Sequence, residues 1–232
     1  MGKRIIQQRR GRGGHTYKVR EKASRVRPGY LHDLKGEFKC VKLTSSNGHS
    51  CPIAKFMNKE GVSFENFACD LLYVGQVIRI GGNGNGDIAK IGDLKNGVEI
   101  FNLEHNPGDG GKFVRSGGSG AVVMAKEGDI VKIMMPSKRT KKFKVNCRAT
   151  IGRAAGSGRV SKPVLKAGKK FYIMKMKSKL WPIVSAVKMN AIDHPFGSGR
   201  GKRVKSKIAK RNASPGKKVG HIRPSRTGRK KR

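Results

Sequence analysis

The chain has 232 residues and carries 53 Lys and Arg against 14 Asp and Glu, a formal net charge of +39. A free globular protein gains nothing from this much like charge, because it repels itself, so the composition predicts a polyanionic partner. No run of eighteen apolar residues is present, which excludes a membrane-spanning helix, and the opening residues Met1–Gln7 lack the apolar stretch of a secretory signal.

The charge is unevenly distributed along the chain. Residues 34–130 hold eleven Lys and Arg and eleven Asp and Glu, so this stretch is neutral. Residues 131–195 hold seventeen cations and one acid, Asp193, and residues 196–232 hold fifteen cations and no acid. Residues 1–33 hold ten cations and two acids. This pattern predicts a folded module that basic segments at both ends attach to nucleic acid.

The first predicted element, residues 1–33, is an extended basic arm. Gly11, Gly13 and Gly14 interrupt it, and it has no apolar periodicity. The apolar residues of the chain are concentrated between Phe38 and Met189, so we expect a core there and none in the arms.

Short β-type runs separated by turn residues follow the arm, and they predict a small antiparallel barrel or sandwich. These runs are Phe38–Leu43, Cys51–Met57, Val62–Phe67 and Leu71–Ile80. Residues 81–86, Gly-Gly-Asn-Gly-Asn-Gly, are predicted to be a loop or linker.

A second block of β-type runs predicts another small barrel, so that two all-β barrels account for residues 34 to about 160. The runs are Val98–Leu103, Lys112–Arg115, Ala121–Ala125, Ile130–Met135 and Lys142–Ile151, with a hairpin turn at Glu127-Gly128-Asp129. A helix is predicted from Pro163 or Val164 to about Met176, and Trp181-Pro182 ends regular structure. From Asp193 onward the composition cannot support a core alone.

The four cysteines, Cys40, Cys51, Cys69 and Cys147, form no Cys-x-x-Cys pair, and the histidines are scattered. A zinc site is therefore disfavoured, and buried reduced thiols in a cytoplasmic protein are the better interpretation.

Two glycine-rich runs, residues 117–120 and 152–159, lack the Gly-Lys-Ser/Thr of a nucleotide-binding P-loop. A turn or a contact with an RNA backbone is favoured. In the second run, Arg153 and Arg159 are placed to make bidentate phosphate contacts. The basic tail is open to three interpretations: a solvated charged face, a localisation signal, or an arm that folds on RNA. The length of the acid-free stretch favours the RNA-binding arm.

Asp193 and His194 invite an acid–base interpretation, but the sequence shows no nucleophile and no converging groups. We expect Asp193 to cap a turn or balance local charge, and His194 to donate a hydrogen bond to RNA. Six phenylalanines lie within β-type runs and are expected in the core: Phe38, Phe56, Phe64, Phe67, Phe101 and Phe143. Recognition of RNA shape and backbone is therefore favoured over reading of free bases.

Several segments together resemble the family of the large-subunit ribosomal protein L-two, in its archaeal and eukaryotic form. They are Met1–Gly13, Pro107–Lys112 with Arg115, Lys162–Gly168 followed by Trp181-Pro182, Ser214–Gly220 and Arg226–Arg229. The most specific segment is Met189-Asn190 with Asp193–Gly197. Phe196 stands where the bacterial form has a second His. Two features depart from the family: Gly197-Ser198-Gly199 replaces a triple glycine, and residues 45–52 lack most of a His-Asp-Pro-Gly-Arg-Gly stretch.

The resemblance implies a mainly β fold with tandem barrels, OB-fold-like and then SH3-like, and extended basic arms. The implied domains are an arm at 1–33, the OB-fold-like barrel at 34–84, the SH3-like barrel at 85–162, a helix and linker with the signature segment at 163–195, and a basic extension at 196–232. The expected rRNA-binding residues are Lys3, Arg4, Arg9, Arg10, Arg12, Lys112, Arg115, Arg153, Arg159, Asn190, His194, Arg200, Lys202, Arg203, Arg211, Lys217, Lys218, Arg226 and Arg229.

The function that the resemblance implies is that of a structural, non-catalytic rRNA-binding protein of the large ribosomal subunit in the cytoplasm. Its implied roles are primary rRNA binding during subunit assembly, support of the architecture near the peptidyl transferase centre, and a bridge to small-subunit rRNA. Neighbouring ribosomal proteins are further expected partners. We expect no membrane, no small-molecule substrate and no cofactor, with Mg²⁺ reaching the protein only through rRNA. Two alternatives stay open: direct participation of His194 in peptide-bond formation, and a generic basic chromatin or RNA-chaperone protein.

Overall fold

The structure is a computed structural model that describes residues 2–24, 26–199 and 207–226. Contacts divide the chain into two units, which we call the barrel unit, Arg20–Lys169, and the arm unit, Met1–Val19 with Lys170–Arg232. Four of the expected rRNA-binding residues, Arg200, Lys202, Arg203 and Arg229, lie outside the described residues.

A four-stranded antiparallel sheet opens the barrel unit. Its strands are β1 (Glu37–Thr44), β2 (Ile53–Met57), β3 (Ser63–Phe67) and β4 (Val77–Arg79), in the order β3-β2-β1-β4. Alternate residues such as Phe38, Cys40 and Phe56 point inward and form one core cluster. The predicted run Leu71–Ile80 is a strand only at its end, because Leu71 has positive φ and is 87% exposed.

A six-stranded antiparallel sheet follows in the barrel unit. Its strands are β5 (Ile88–Lys90), β6 (Glu99–Phe101), β7 (Ala121–Glu127), β8 (Ile130–Met134), β9 (Thr140–Lys144) and β10 (Arg148–Ile151), in the order β5-β10-β6-β7-β8-β9. The Gly128-Asp129 hairpin between β7 and β8 is confirmed. The predicted strand Lys112–Arg115 is wrong, since only an isolated bridge joins Leu103 and Phe113 there. The run Lys142–Ile151 divides into two strands, and β5 was not predicted.

The two sheets confirm the mainly β class with tandem barrel-like domains. They are packed against one another within the barrel unit, and a cluster of Cys51, Phe67, Cys69, Phe101 and Ala154 includes residues from both sheets. The predicted loop or linker at residues 81–86 is a tightly held loop. The Asp87 carboxylate accepts hydrogen bonds from the backbone N–H groups of Arg79 and Gly84, each at 2.7 Å.

The expected arm at residues 1–33 is extended only in part. The helix α1 (Ile6–Gly11) and a 3₁₀ turn at Glu21–Ala23 interrupt it. Tyr30 is 6% exposed and packs into the first core cluster, so the end of this segment belongs to the barrel unit. Sequence periodicity missed this because Tyr30 follows Pro28-Gly29 and lies outside any apolar run long enough to show a period.

Helix α2 (Ala167–Met176) begins four residues after Pro163 and buries no side chain. Further 3₁₀ turns lie at Ser157–Arg159 and Ala186–Lys188, and the Trp181–Pro182 peptide bond is cis. The tail has one short parallel pair, β11 (Ile208–Ala209) with β12 (His221–Ile222). None of the helices in the described part of the chain is long and apolar enough to span a membrane.

Candidate nucleic-acid interface

The arm unit is almost entirely cationic. It contains 26 Lys and Arg and one acid, Asp193, whereas the barrel unit contains 27 Lys and Arg and 13 acids. All four ion pairs found among the described residues lie in the barrel unit. The expected rRNA-binding residues described in the arm unit, His194 excepted, are solvent-exposed; they are Lys3, Arg4, Arg9, Arg10, Arg12, Asn190, Arg211, Lys217, Lys218 and Arg226. This surface therefore offers cations that no carboxylate neutralises within the described chain.

Helix α1 fixes the direction of the N-terminal cations. The Gln8 side-chain oxygen accepts the Ile5 N–H at 3.0 Å, which satisfies a free donor at the start of the helix. Arg9 and Arg10 lie in the last turn, where cations interact favourably with the helix dipole. The Lys3 N–H donates to the Ile192 carbonyl at 2.8 Å, so the start of the chain is attached to the signature segment.

The signature segment is a compact double turn. The Asn190 carbonyl accepts from the N–H groups of both Asp193 and His194, and Ser198 N–H donates to the Met189 carbonyl at 3.0 Å. Gly197 lies where a Cβ atom would collide with the carbonyl oxygens of Met189 and Asn190, so only glycine fits. The turn presents Asn190, one of the expected rRNA-binding residues, to solvent.

His194 is 8% exposed, and its Nδ1 accepts the Phe196 N–H at 3.1 Å. The two rings lie edge to face, with centroids 5.1 Å apart. One ring nitrogen therefore holds the turn, and only Nε2 is left to donate a hydrogen bond elsewhere. The expected capping role of Asp193 is not observed, because no described residue donates a hydrogen bond to its carboxylate.

Arg115 is mainly a structural residue in the barrel unit. Its Nη2 donates to the Pro28 carbonyl at 3.0 Å, and its guanidinium lies 4.7 Å from the centre of the Phe67 ring. Burial lowers the pKa of Arg115, and its Nε has no hydrogen-bond partner among the described residues. These contacts differ from the expected exposed RNA contact.

The other expected cations of the barrel unit remain at its surface. Arg153 pairs with Glu99 at 2.9 Å, yet half of its side chain is exposed. Arg159 donates from Nε to the Gly117 carbonyl at 3.2 Å and is exposed. Lys112 is also exposed. The internal bonds of Arg153 and Arg159 hold each guanidinium in one orientation while parts of both remain accessible.

The central glycine motif is organised by acids that sequence analysis did not single out. Glu104 is fully buried, its Oε1 lies 2.9 Å from Nη2 of Arg148, and it also accepts the Gly110 N–H. Arg148 in turn donates from Nη1 to the Leu31 carbonyl at 2.7 Å. The Arg148–Glu104 pair therefore joins the central glycine motif to the backbone at Leu31. The sequence signal that could have indicated this buried pair is the position of Glu104, directly after the apolar run that ends at Leu103.

Asp109 closes the same motif. Its carboxylate accepts the N–H groups of His105, Asn106 and Gly111 at 2.9–3.1 Å. Burial raises the pKa of Asp109, but these hydrogen bonds outweigh burial and hold the pKa below its ordinary value. Asp109 is therefore a turn-forming residue.

The altered loop at residues 45–52 packs on the protein itself. Ser46 Oγ lies 2.8 Å from His49 Nδ1, and the Gly48 N–H donates to the Ala23 carbonyl at 2.6 Å. Ser50 Oγ accepts the Gly117 N–H, which joins this loop to the first glycine-rich run. The Gly117 N–H is therefore used within the protein, which favours a structural turn over a nucleotide-binding loop at residues 117–120.

All four cysteines are free and buried, as predicted. Burial raises the pKa of Cys51 to about 12 and that of Cys69 to about 11, so both are thiols at neutral pH. Within the described part of the chain, no group of three or more His, Cys, Asp or Glu side chains is arranged to hold a metal ion.

Comparison with known proteins gives consistent matches. Residues 84–216 match the family described as Ribosomal Proteins L2, C-terminal domain. A protein of Saccharolobus islandicus named "Large ribosomal subunit protein uL2" is 42% identical over 237 residues, which covers 99% of each chain. A protein of the same name from Archaeoglobus fulgidus is 41% identical over 235 residues, covering 98% of this chain and 99% of its own.

Proposed function

The chain belongs to the ribosomal protein L2 family, and from that premise we propose that its arm unit binds large-subunit rRNA through exposed cations. The protein is of the archaeal type and is a structural constituent of the large ribosomal subunit. It acts in translation in the cytoplasm, and its partners are rRNA and other ribosomal proteins. The observation that carries the proposal is the ratio of 26 cations to one acid in the arm unit.

Physical chemistry supports this assignment of roles. Cations without carboxylate partners gain most from phosphate, because binding releases the counterions of the RNA. The surface cations of the barrel unit, Lys112, Arg153 and Arg159, extend the proposed contact to the glycine-rich turns. Backbone contacts of this kind position the protein on folded RNA without reading its sequence.

The finer roles are part of the same proposal. We assign the protein to early rRNA binding in subunit assembly, to the architecture near the peptidyl transferase centre, and to a bridge with small-subunit rRNA. The family resemblance supports these roles. A second support is that the described part of the arm unit buries little apolar surface. A chain of this composition orders most completely on a partner.

A binding experiment tests the main proposal. The full chain is titrated with large-subunit rRNA and, as the matched competitor, with small-subunit rRNA, at several salt concentrations. We expect tighter binding to large-subunit rRNA and protection of residues 2–19 and 170–226 from trypsin on that RNA. Equal affinity for both RNAs would contradict a specific structural role and support the generic RNA-chaperone alternative.

A second experiment separates a structural from a catalytic His194. General acid–base catalysis is worth about 10²–10⁴-fold in rate. Since Nδ1 of His194 holds the turn, we expect His194→Ala to reduce incorporation into particles while peptide transfer per fully assembled particle stays near normal. Single-turnover peptide transfer on purified particles measures this. A chemical step slowed by about a hundredfold, with normal protein occupancy and tRNA binding, would support the catalytic alternative.

A further inference from the structure

A cavity of about 520 Å³ lies within the arm unit. Helix α1 contributes Ile6 and Arg9 to its wall, residues 180–186 contribute Ile183 and Val184, and the signature segment contributes Asp193 and His194. Ile183 and Val184 are 79% and 54% exposed, so apolar surface stands open beside a cationic helix. The volume is that of a pocket for a small organic group, such as a nucleoside.

Asp193 carries a negative charge in a unit whose other charged side chains are Lys and Arg. It is the only acid of the arm unit and the only one after Asp129. A carboxylate among cations that bind phosphate repels that same phosphate. Asp193 is half-buried, and its carboxylate accepts no hydrogen bond from any residue that the structure describes. Because Asp193 also lines the cavity, its carboxylate is placed to accept hydrogen bonds from a group that enters there.

We propose that this cavity holds an unpaired guanine of rRNA, with the Asp193 carboxylate accepting hydrogen bonds from guanine N1–H and N2–H. Guanine is the base whose Watson–Crick edge presents two adjacent donors, and a carboxylate presents two adjacent acceptors, so the pair is bidentate. Adenine, cytosine and uracil each offer one donor group on that edge.

The other cavity walls suit the remaining parts of a nucleotide. The apolar side chains of Ile183 and Val184 can cover the faces of a base, as unstacked RNA bases require. Arg9 supplies a cation for the adjoining phosphate. His194 Nε2, which the turn does not use, can donate to a base or ribose oxygen.

A hydrated Mg²⁺ fits the same position less well. Magnesium prefers several oxygen ligands in octahedral geometry. Among the residues that the structure describes, Asp193 is the only carboxylate that lines the cavity, and the surrounding side chains are mostly apolar. This inference rests on the proposed binding of large-subunit rRNA and adds the kind of nucleotide that the signature segment recognises.

The test uses the full chain, large-subunit rRNA and kethoxal, which modifies unpaired guanine at N1 and N2. We expect one guanine to be protected by the wild-type protein and to become at least about tenfold more reactive with Asp193→Asn, the size expected for a lost bidentate contact. The hydroxyl-radical footprint of the protein should be unchanged. Asp93→Asn, the same chemical change at an exposed position of the barrel unit, is the matched control and should leave that guanine protected.

A base exchange provides the second measurement. Asparagine offers one donor and one acceptor, which match the Watson–Crick edge of adenine. Replacing the identified guanine by adenine should weaken wild-type binding and restore binding by Asp193→Asn. A wild-type footprint with no guanine that responds to Asp193→Asn would overturn the guanine site and leave the proposed function intact. Absence of the wild-type footprint would overturn the proposed function itself.

Discussion

The barrel unit and the arm unit obtain their structure from different sources. The barrel unit contains three apolar clusters and every ion pair of the described residues. In the described part of the arm unit, Ile5 and Ala209 are the only buried apolar side chains. Apolar burial is the main favourable contribution to folding. The barrel unit is therefore stabilised by its own apolar core, whereas the described part of the arm unit buries little apolar surface and contains none of these ion pairs.

Buried polar groups show the same contrast. In the barrel unit Tyr30 Oη lies 2.7 Å from Thr150 Oγ1 and 2.8 Å from the Asn102 carbonyl, and Asn66 joins the same network. Burial raises the pKa of Tyr30 well above its ordinary value. The arm unit has one buried polar side chain in its described part, His194. Internal polar networks specify the barrels, whereas most polar groups in the described part of the arm unit remain exposed.

The largest expected effect comes from deleting residues 200–232, which removes fifteen cations. Each phosphate contact contributes roughly 0.7–0.9 to the slope of log K against log salt. We expect the deletion to flatten that slope by several units in titrations with large-subunit rRNA. Lys59→Gln with Lys95→Gln, in the neutral stretch, is the control and should leave the slope nearly unchanged. If deleting the tail left the salt slope unchanged, the arm unit would not bind more phosphates than the barrel unit.

Removing one partner of the buried Arg148–Glu104 pair should strongly destabilise the barrel unit. Arg148→Met leaves Glu104 charged and fully buried, which typically costs about 3–5 kcal/mol. The matched control is Arg79→Met, whose pair with Glu37 is 69% and 56% exposed and should contribute about 0–1 kcal/mol. Urea unfolding followed by far-ultraviolet circular dichroism measures both, because the one tryptophan of the chain, Trp181, lies in the arm unit. Equal losses would show that the motif at Glu104 does not support the barrels.

His49 should make the stability of the barrel unit depend on pH. Burial and the nearby Arg115 lower the pKa of His49 below 6.5 in the folded chain. Between that lowered pKa and 6.5 the unfolded chain binds a proton that the folded chain does not, so stability falls as pH falls. We expect His49→Gln to reduce the gain in unfolding free energy between about pH 5 and pH 7. The same substitution at His221, in the arm unit, should not change the barrel transition.

The smallest effect is expected at Ser198, which lies between Gly197 and Gly199 and has a φ of +79°. A left-handed conformation costs a non-glycine residue about 1–2 kcal/mol, partly offset because glycine gains freedom in the unfolded chain. Ser198→Gly should therefore tighten binding to large-subunit rRNA by up to about fivefold. Ser185→Gly, at φ of −63°, should give no gain. Filter-binding titrations resolve the difference.

Sequence patterns predicted the strands whose side chains alternate between core and solvent. β1, β2, β3, β7 and β8 lie within a few residues of their predicted ranges, because a half-buried strand shows period two in its own residues. β4 is shorter than predicted, and β5 was missed. The three residues of β5 are too few to show a period, and the strand forms because β10 pairs with it.

For the candidate interface too, some features could be predicted from sequence and others depended on tertiary structure. Net charge and the signature segment predicted an RNA-binding protein with cationic ends, because charge is a property of composition alone. Which cations are free to bind RNA was decided by tertiary structure. Arg115 and Arg153 have similar surroundings in sequence, yet one lies over Phe67 and the other remains half-exposed beside Glu99.

By itself, the sequence determined the family, the class of fold and the cationic arms, since apolar periodicity, charge and short motifs are local properties of the chain. Tertiary structure alone decided the burial of Glu104 with Arg148, the packing of Tyr30 into the first barrel, and the cavity that brings Asp193 beside helix α1. The physical reason is that each of these arrangements joins residues distant in the chain. Burial and partner distance, which set the energy of a charge, are absent from any local pattern.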